Sequence, residues 1–361
     1  MKKVYFITAL CFYSLISFGQ NTDSLKALIK NADNEQDAAL HTLHYIETIV
    51  DVNSPEALKV AYALKEKEIV KNDSSLFAKT VYLLGDIYAS QGRYDSAKFY
   101  CQKAVDYARN IDDKHLLSNG LITLGIVHDY LGVLDQALDY YLQALDIKEK
   151  LGDKSGVADV HNNIAILYSF QNQYDKAIEY FNYSLEVREQ MGDIKGVAAA
   201  YNNIGLIYLN LKEFEDALKY QKKSLEIKEE MGDKRGMSTS YNNIGIIFFK
   251  QGIPERAIVY YERALKLKEE IGFDADIALS HLNIGEAFME IGNVKKATYH
   301  LEKAVELAKI SNNRDDLRVT YQILAELNAK TQNYKDAYEY HQLYAQLNDS
   351  IFNMESASRM A

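Results

Sequence analysis

The stretch YNNIGLIY, Tyr201 to Tyr208, returns forty residues later as YNNIGIIF (Tyr241 to Phe248) and stands forty earlier as HNNIAILY (His161 to Tyr168). Weaker copies keep the same spacing from Val81, Leu121, His281 and Tyr321. A fixed period over most of a chain confines it to a solenoid, in which each unit contacts only its neighbours and the core is built by stacking. Such a pattern constrains architecture strongly and says little about a partner.

Each unit reads as two helices. In the unit that opens near Asp233, apolar residues recur at three and four (Tyr241, Ile244, Ile247, Phe248), giving a first helix that runs to about Lys250. A turn at Gln251-Gly252 follows, and Pro254 begins a second helix that ends near Ile271, since proline is tolerated where the amide has no intrahelical partner. Gly85, Gly125, Gly205, Gly245 and Gly285 recur in mid-helix, with Ala165 and Ala325 in the same slot. A glycine there costs about 1 kcal/mol relative to alanine, so close approach of the second helix, which supplies Ala97, Ala137, Ala177, Ala217, Ala257, Ala297 and Ala337, is the expected offset. Between units, Gly152, Gly192 and Gly232 suit a left-handed helix end, and Asp153, Asp193 and Asp233 suit the N-cap of the next helix. No strand pattern precedes these Gly-Asp pairs and no Gly-Lys-Ser/Thr follows, which argues against a phosphate-cradling loop.

Ahead of the array, Lys2 and Lys3, a short apolar run from Val4 to Phe18 and small residues at Ser17 and Gly19 describe a cleavable secretory signal. The run is shorter than the roughly 20 residues of a membrane span, and no later segment is long and apolar enough for one. Beyond the signal only Cys101 remains, so an exported chain must be held by its own core, and Cys101 falls in an inward slot shared with Tyr141, Phe181 and Tyr261. The net charge of -10, with no basic cluster to break it, argues against nucleic acid.

The order Leu84-Gly85, Tyr88, Gly92, Tyr94, Ala97, Tyr100, Ala104 resembles the tetratricopeptide repeat. The usual repeat has about 34 residues. The longer period here is similar to the branch seen in kinesin light chains, spindle-orientation adaptors and bacterial peptide-pheromone receptors. The resemblance implies an all-α, right-handed superhelical solenoid of antiparallel helix pairs that binds proteins or peptides without catalysis. It is nearly silent on which partner. The organisation expected is a signal peptide at 1–19, a capping helix at 20–40, a degenerate repeat at 41–80, seven repeats at 81–347 and a polar tail at 348–361. Register fades after Tyr340, and this end resembles the junction in exported Bacteroidetes-type sensor proteins, where repeats precede a membrane helix and a kinase or DNA-binding output. Two functions stay open: a free-standing exported scaffold, periplasmic or secreted in a bacterium, and the sensor portion of a signal-transducing histidine kinase or transcription regulator.

No catalytic constellation survives the repeat register, and no cofactor or metal is expected; His41 and His44 share a helix face with no carboxylate or cysteine at ligand spacing. His161 and His281 occupy the slot of Tyr201 and Tyr241 and read as packing residues with one wet edge. Acidic strings around Lys228 and Lys268 at the ends of second helices read as solvated faces. The exception is a recurrent amide: Asn163, Asn203, Asn243 and Asn283 lie two residues before the small residue. In tetratricopeptide proteins this slot resembles the concave lining, where asparagine contacts a bound peptide's backbone. An amide suits that task because it offers donor and acceptor whatever the ligand's side chains. The same residues could instead bond to the adjacent repeat and fix its stacking. Asn202 and Asn242, with Asn162, are placed at the groove edge. Ile166, Leu206 and Ile246 follow the small residue where a carboxylate clamp would need Lys or Arg, so the groove, with Phe249, suits an extended or helical segment with apolar anchors.

Overall fold

Small and aromatic residues alternating at helical spacing leave each helix one stripe to bury, and a second helix of the same unit covers it. The computed structural model describes residues 15–50, 52–272 and 274–360. Residues 1–14 of the expected export signal lie outside them. Among the described residues there are helices and turns but no strand, an all-α solenoid of antiparallel helix pairs. Helices α1 (Leu15–Lys30), α2 (Glu35–Ile49), α3 (Ser54–Lys65) and the short α4 (Glu68–Asn72) precede the regular array. Seven pairs follow: α5 (Ser74–Ser90) with α6 (Tyr94–Asn110), α7 (Lys114–Tyr130) with α8 (Leu134–Leu151), α9 (Lys154–Phe170) with α10 (Tyr174–Met191), α11 (Ile194–Leu211) with α12 (Phe214–Glu230), α13 (Lys234–Lys250) with α14 (Pro254–Ile271), α15 (Asp274–Glu290) with α16 (Val294–Ile310), and α17 (Arg314–Lys330) with α18 (Tyr334–Met360). We call the two members of a pair its A and B helices. The chain divides into two compact units, Met1–Asp193 and Ile194–Ala361.

In the first unit, the stretch predicted as one entry helix over 20–40 is broken. α1 stops at Lys30, and Asn34 caps α2 by accepting the Asp37 amide at 2.8 Å. An asparagine oxygen offered to an orphan amide starts a new helix more readily than it continues an old one. The stretch expected as a degenerate repeat holds the end of α2, the 12-residue α3 and the five-residue α4, and runs into α5. From α5 the array is regular. Gly152 adopts φ 67 after α8, and Asp153 accepts the Gly156 amide at 2.9 Å, closing one helix and opening the next as the sequence predicts.

The second unit repeats this seam at Gly232 (φ 66) and Asp233, which accepts the Gly236 amide at 2.9 Å. Its last helix does not stop at the expected polar tail. α18 continues to Met360, and the sequence from Tyr334 onward holds no glycine or proline to end it.

The mid-helix glycines sit where the B helix presses on the A helix. A Cβ on Gly245 would lie 2.5 Å from the Tyr261 ring, and one on Gly125 would lie 2.5 Å from that of Tyr141. On Gly285 it would meet Leu301 Cγ at 2.7 Å and the Leu301 backbone nitrogen at 3.2 Å. The small residue is thus answered by the residue four beyond the B-helix alanine, and that slot varies along the array: Cys101, Tyr141, Phe181, Gln221, Tyr261, Leu301. All but Tyr141 and Tyr261 are wholly buried, and those two nearly so. Burial raises the Cys101 thiol far above its ordinary range, which leaves it a small hydrophobe.

Candidate functional site

Once the B helices have covered their share, one stripe of each A helix stays only partly covered. In the second unit it runs along positions i, i+3, i+7 and i+10: Ala199, Asn202, Leu206 and Leu209 on α11, then Thr239, Asn242, Ile246 and Phe249 on α13. Three, seven and ten residues return to one face of a helix, so these side chains form rows that cross from one A helix to the next. Between them Ile204, Ile207, Ile244 and Ile247 are buried, anchoring the stripe on a rigid floor. Of the residues that the sequence points to, Asn203 is 7% exposed and Asn242 and Asn243 are 8% exposed; Asn163, Asn202, Asn283 and Phe249 are half-buried. The small exposures matter because an amide this buried must be hydrogen-bonded.

The amides of neighbouring A helices are joined in rungs. Asn243 Nδ2 donates to Asn202 Oδ1 at 2.9 Å, and Asn283 Nδ2 donates to Asn242 Oδ1 at 2.9 Å. Asn202 Nδ2 also donates to Asn203 Oδ1 at 3.3 Å. The rungs draw Asn202 and Asn242 in as acceptors beside Asn243 and Asn283, where the sequence suggested an edge. A carboxamide has two donors and two acceptor sites. A rung uses one of each, so Asn242 Nδ2 and Asn243 Oδ1 have no protein partner among the described residues. The stacking bonds therefore leave part of the amide set free for a ligand.

The mid row changes character along the unit. Positions 206, 246, 286 and 326 read Leu, Ile, Glu, Glu, and the first three are half-buried. Burial is the chief cause that raises the Glu286 carboxyl above its ordinary range; Glu290 and Glu326 push the same way, and Lys250 opposes them. Glu326 accepts Gln322 Nε2 at 3.1 Å, whereas Glu286 has no hydrogen-bond or ion-pair partner among the described residues.

Three features escaped the sequence reading. The first is a set of cations at the ends of B helices, at 148, 188, 228 and 268, which the surrounding acidic strings disguised as solvated. Lys268 is 6% exposed and donates to the Asp276 carbonyl at 3.1 Å and to Ser280 Oγ at 3.0 Å. Lys148 bridges Asn119 Oδ1 and Asp153 Oδ2, both at 2.8 Å, and Arg188 spans Asp159 and Asp193, both at 2.6 Å. Among the described residues Lys228 hydrogen-bonds only to Ser240 Oγ, at 2.9 Å, and burial pushes its ammonium down to about 8. The forty-residue register was the signal for these, had basic residues been aligned as apolar ones were. The second is the partner of His281: its Nδ1 lies 2.9 Å from that of His300, and burial with His281 and Lys296 nearby depresses His300 to about 4. The third is Gln221, fully buried against Gly205, whose Nε2 donates to the Asn202 carbonyl at 2.9 Å while its Oε1 has no partner among the described residues.

Among the described residues no group of three or more His, Cys, Asp or Glu side chains could hold a metal ion. None of the described helices is long and apolar enough to cross a membrane.

The sequence matches the tetratricopeptide repeat family over residues 76–150, 130–190 and 196–270. The chain belongs to that family. Among curated proteins no relative matches it. Solved structures do. The apo form of the quorum sensor NprR from B. thuringiensis is 17% identical, with a TM-score of 0.69 over 91% of this chain and 92% of that one. A Rap protein complexed with competence and sporulation factor is 17% identical, with a TM-score of 0.62 over 94% of this chain and 99% of that one. BtubC (BKLC) from P. vanneervenii is 22% identical, with a TM-score of 0.56 over 61% of this chain and 92% of that one. At these identities the likeness is one of fold.

Proposed function

We propose that this chain is an exported, non-catalytic scaffold that binds a protein or peptide segment along the exposed stripe of its A helices. The observation that carries the reading is the pairing, in one row system, of apolar side chains left half-buried (Leu206, Ile246, Phe249) with amides that keep spare donors and acceptors (Asn242, Asn243). Apolar anchors supply burial and amides satisfy a ligand's backbone, the division of labour that a bound peptide needs. That the Rap structure was solved with competence and sporulation factor supports a ligand-binding use of this fold. Export rests on the signal pattern of residues 1–19.

The test is a random-peptide display selected on the purified protein. Selected peptides should lose about tenfold or more in affinity on a Leu206→Ser/Ile246→Ser variant that melts like wild type, about 1.4 kcal/mol or more of lost binding. Selected peptides that bind the variant equally refute the site. The role of the amides is read separately with Asn202→Leu/Asn243→Ile. This copies the apolar pair Leu282 and Ile323, 5% and 6% exposed, that occupies the same positions two repeats on. Replacing both partners of a hydrogen bond by apolar groups is nearly neutral for stability, so lost peptide binding at an unchanged melt assigns the amides to the ligand.

The sensor reading is favoured by one observation, the length of α18: 27 residues, against 17 or 18 for the other B helices of the array. A helix that leaves the last repeat as one rod is a means of relay. Immunodetection in fractionated cells separates the two: a soluble periplasmic or secreted band near the calculated mass less its signal supports the scaffold, and a larger inner-membrane band supports the sensor.

A further inference from the structure

The mid row of the second unit is not uniform, and its gradient says what a ligand must carry. Leu206 and Ile246 offer aliphatic surface on α11 and α13, and Phe249 flanks Ile246. In the same row α15 and α17 present Glu286 and Glu326. Neighbouring basic groups do not cancel this pair. Lys250 approaches Glu286 without forming an ion pair, and Lys330 lies 4.0 Å from Glu290, one turn further along α15, not from either row carboxylate. Glu286 is half-buried and unpartnered among the described residues. A buried anion without a counter-ion is destabilising, and an arriving cation would relieve it.

We infer that the ligand of this stripe is an extended peptide that places an apolar side chain over Leu206, Ile246 and Phe249 and a lysine or arginine against Glu286 and Glu326. The inference rests on the reading of the stripe as a peptide site and adds the ligand's chemistry to it. Packed helices lie about 10 Å apart, and an extended chain rises about 3.3 Å per residue, so neighbouring A helices are about three residues apart along the peptide. The motif sought is an apolar residue followed or preceded at about that spacing by a cation. Arginine fits best, because its planar fork can engage two carboxylates and is weakly hydrated. The protein's acidic charge would speed the encounter but not set the register.

The experiment uses the full chain and four fluorescein-labelled synthetic peptides of equal length, read by fluorescence anisotropy at low and high salt. One combines Leu/Phe with Arg at the stated spacing. Two others replace Arg by Gln or by Glu, and the fourth keeps Arg but replaces Leu/Phe by Ser. The Leu/Phe-Arg peptide should bind about tenfold tighter than its Gln counterpart and more tightly still than the Glu one. Glu286→Gln/Glu326→Gln should erase that preference to within about twofold while leaving the Gln peptide's affinity unchanged and without lowering the thermal melt. If the Gln peptide binds as well as the Arg peptide, and both lose affinity on Leu206→Ser/Ile246→Ser, the peptide site stands and the charge inference is overturned. If the Ser-Arg peptide binds as tightly as the Leu/Phe-Arg one, attraction to an acidic protein explains the binding and the inference is again overturned. If no peptide binds, the site reading and the inference fall together.

Discussion

Lys228 should destabilise the protein that contains it. Its ammonium, pushed down to about 8 by burial against the opposing pull of Asp233, hydrogen-bonds among the described residues only to Ser240 Oγ, at 2.9 Å. Taking 10.5 for the unfolded chain, the difference of about 2.5 units at 1.36 kcal/mol each sets the cost of keeping the charge in the fold at about 3 kcal/mol. The folded pKa lies below the unfolded one, so the cost is complete below pH 8. It shrinks as pH rises from 8 towards 10.5, where the folded side chain releases its proton first. Lys228→Met keeps the methylene stem, forfeits one hydrogen bond of about 1 kcal/mol and removes the charge, for an expected gain of about 2 kcal/mol at pH 7. Near pH 9.5 the gain should fall to roughly 0.5 kcal/mol. Arg188→Met in the same slot should do the opposite. It strips the guanidinium from Asp159 and Asp193 and should cost about 1–3 kcal/mol, moderated because Asp159 is half exposed. Repeat arrays can unfold in stages, so the readout is amide hydrogen exchange in α12 and α13 at both pH values, with urea midpoints beside it. A Lys228→Met protein that is less protected than wild type at pH 7, or whose gain is the same at pH 9.5, refutes the reasoning.

Three further outcomes follow from the same geometry. Stability should fall as pH drops from 6.5 towards 4, because His300, held at about 4 in the fold, resists a proton that the unfolded chain accepts; thermal melts of His300→Tyr, the residue found at 180, 220, 260 and 340, should show a shallower slope over that window. Gly245→Ala should lower stability by about 1–3 kcal/mol despite alanine's better helix propensity, since the new Cβ would lie 2.5 Å from the Tyr261 ring; a wild-type melt would refute the packing. Gln221→Met should stabilise by about 1 kcal/mol in a thermal melt by replacing a buried, unpartnered Oε1 with apolar volume, and a loss would mean that a bound water satisfies it.

How much of this could be read in advance divides along a physical line. Helix pairing, the turn at Gln251-Gly252, the start at Pro254 and the Gly-Asp seam are local: each follows from residues within a few positions of one another, and α13 and α14 end where the periodicity says. The close approach at Gly245 was legible because a mid-helix glycine is costly and demands a neighbour. The Asn rungs were half legible. Register shows that Asn243 and Asn202 recur, but only the offset of one A helix against the next decides that residue 243 faces 202. The seam cations were hidden because charge in an acidic string looks solvated from sequence, while burial depends on the helix that arrives twelve residues later, as Ser240 does over Lys228. Asn34 was missed for a simpler reason: a cap residue inside a polar stretch carries no apolar period to mark it.

In a chain built of copies, the positions that agree specify the fold and the positions that disagree specify the use. Alanine at 97, 137, 177, 217, 257 and 297 is wholly buried every time, so any copy that changed it would lose its partner helix. The mid row is covered less completely, half-buried at 206, 246 and 286 and exposed at 326, and there Leu206 and Ile246 give way to Glu286 and Glu326. A carboxylate at a half-buried position is a cost that the stacking does not require. The slot facing the glycine behaves in between: it must be filled, but Tyr141, Phe181, Gln221 and Leu301 all fill it, so volume is demanded and chemistry is free. A function that depends on the array as a whole would leave the mid row as uniform as the alanines. On the peptide reading proposed above, the change from aliphatic to acidic within four repeats would give a bound segment a direction, one end apolar and the other charged.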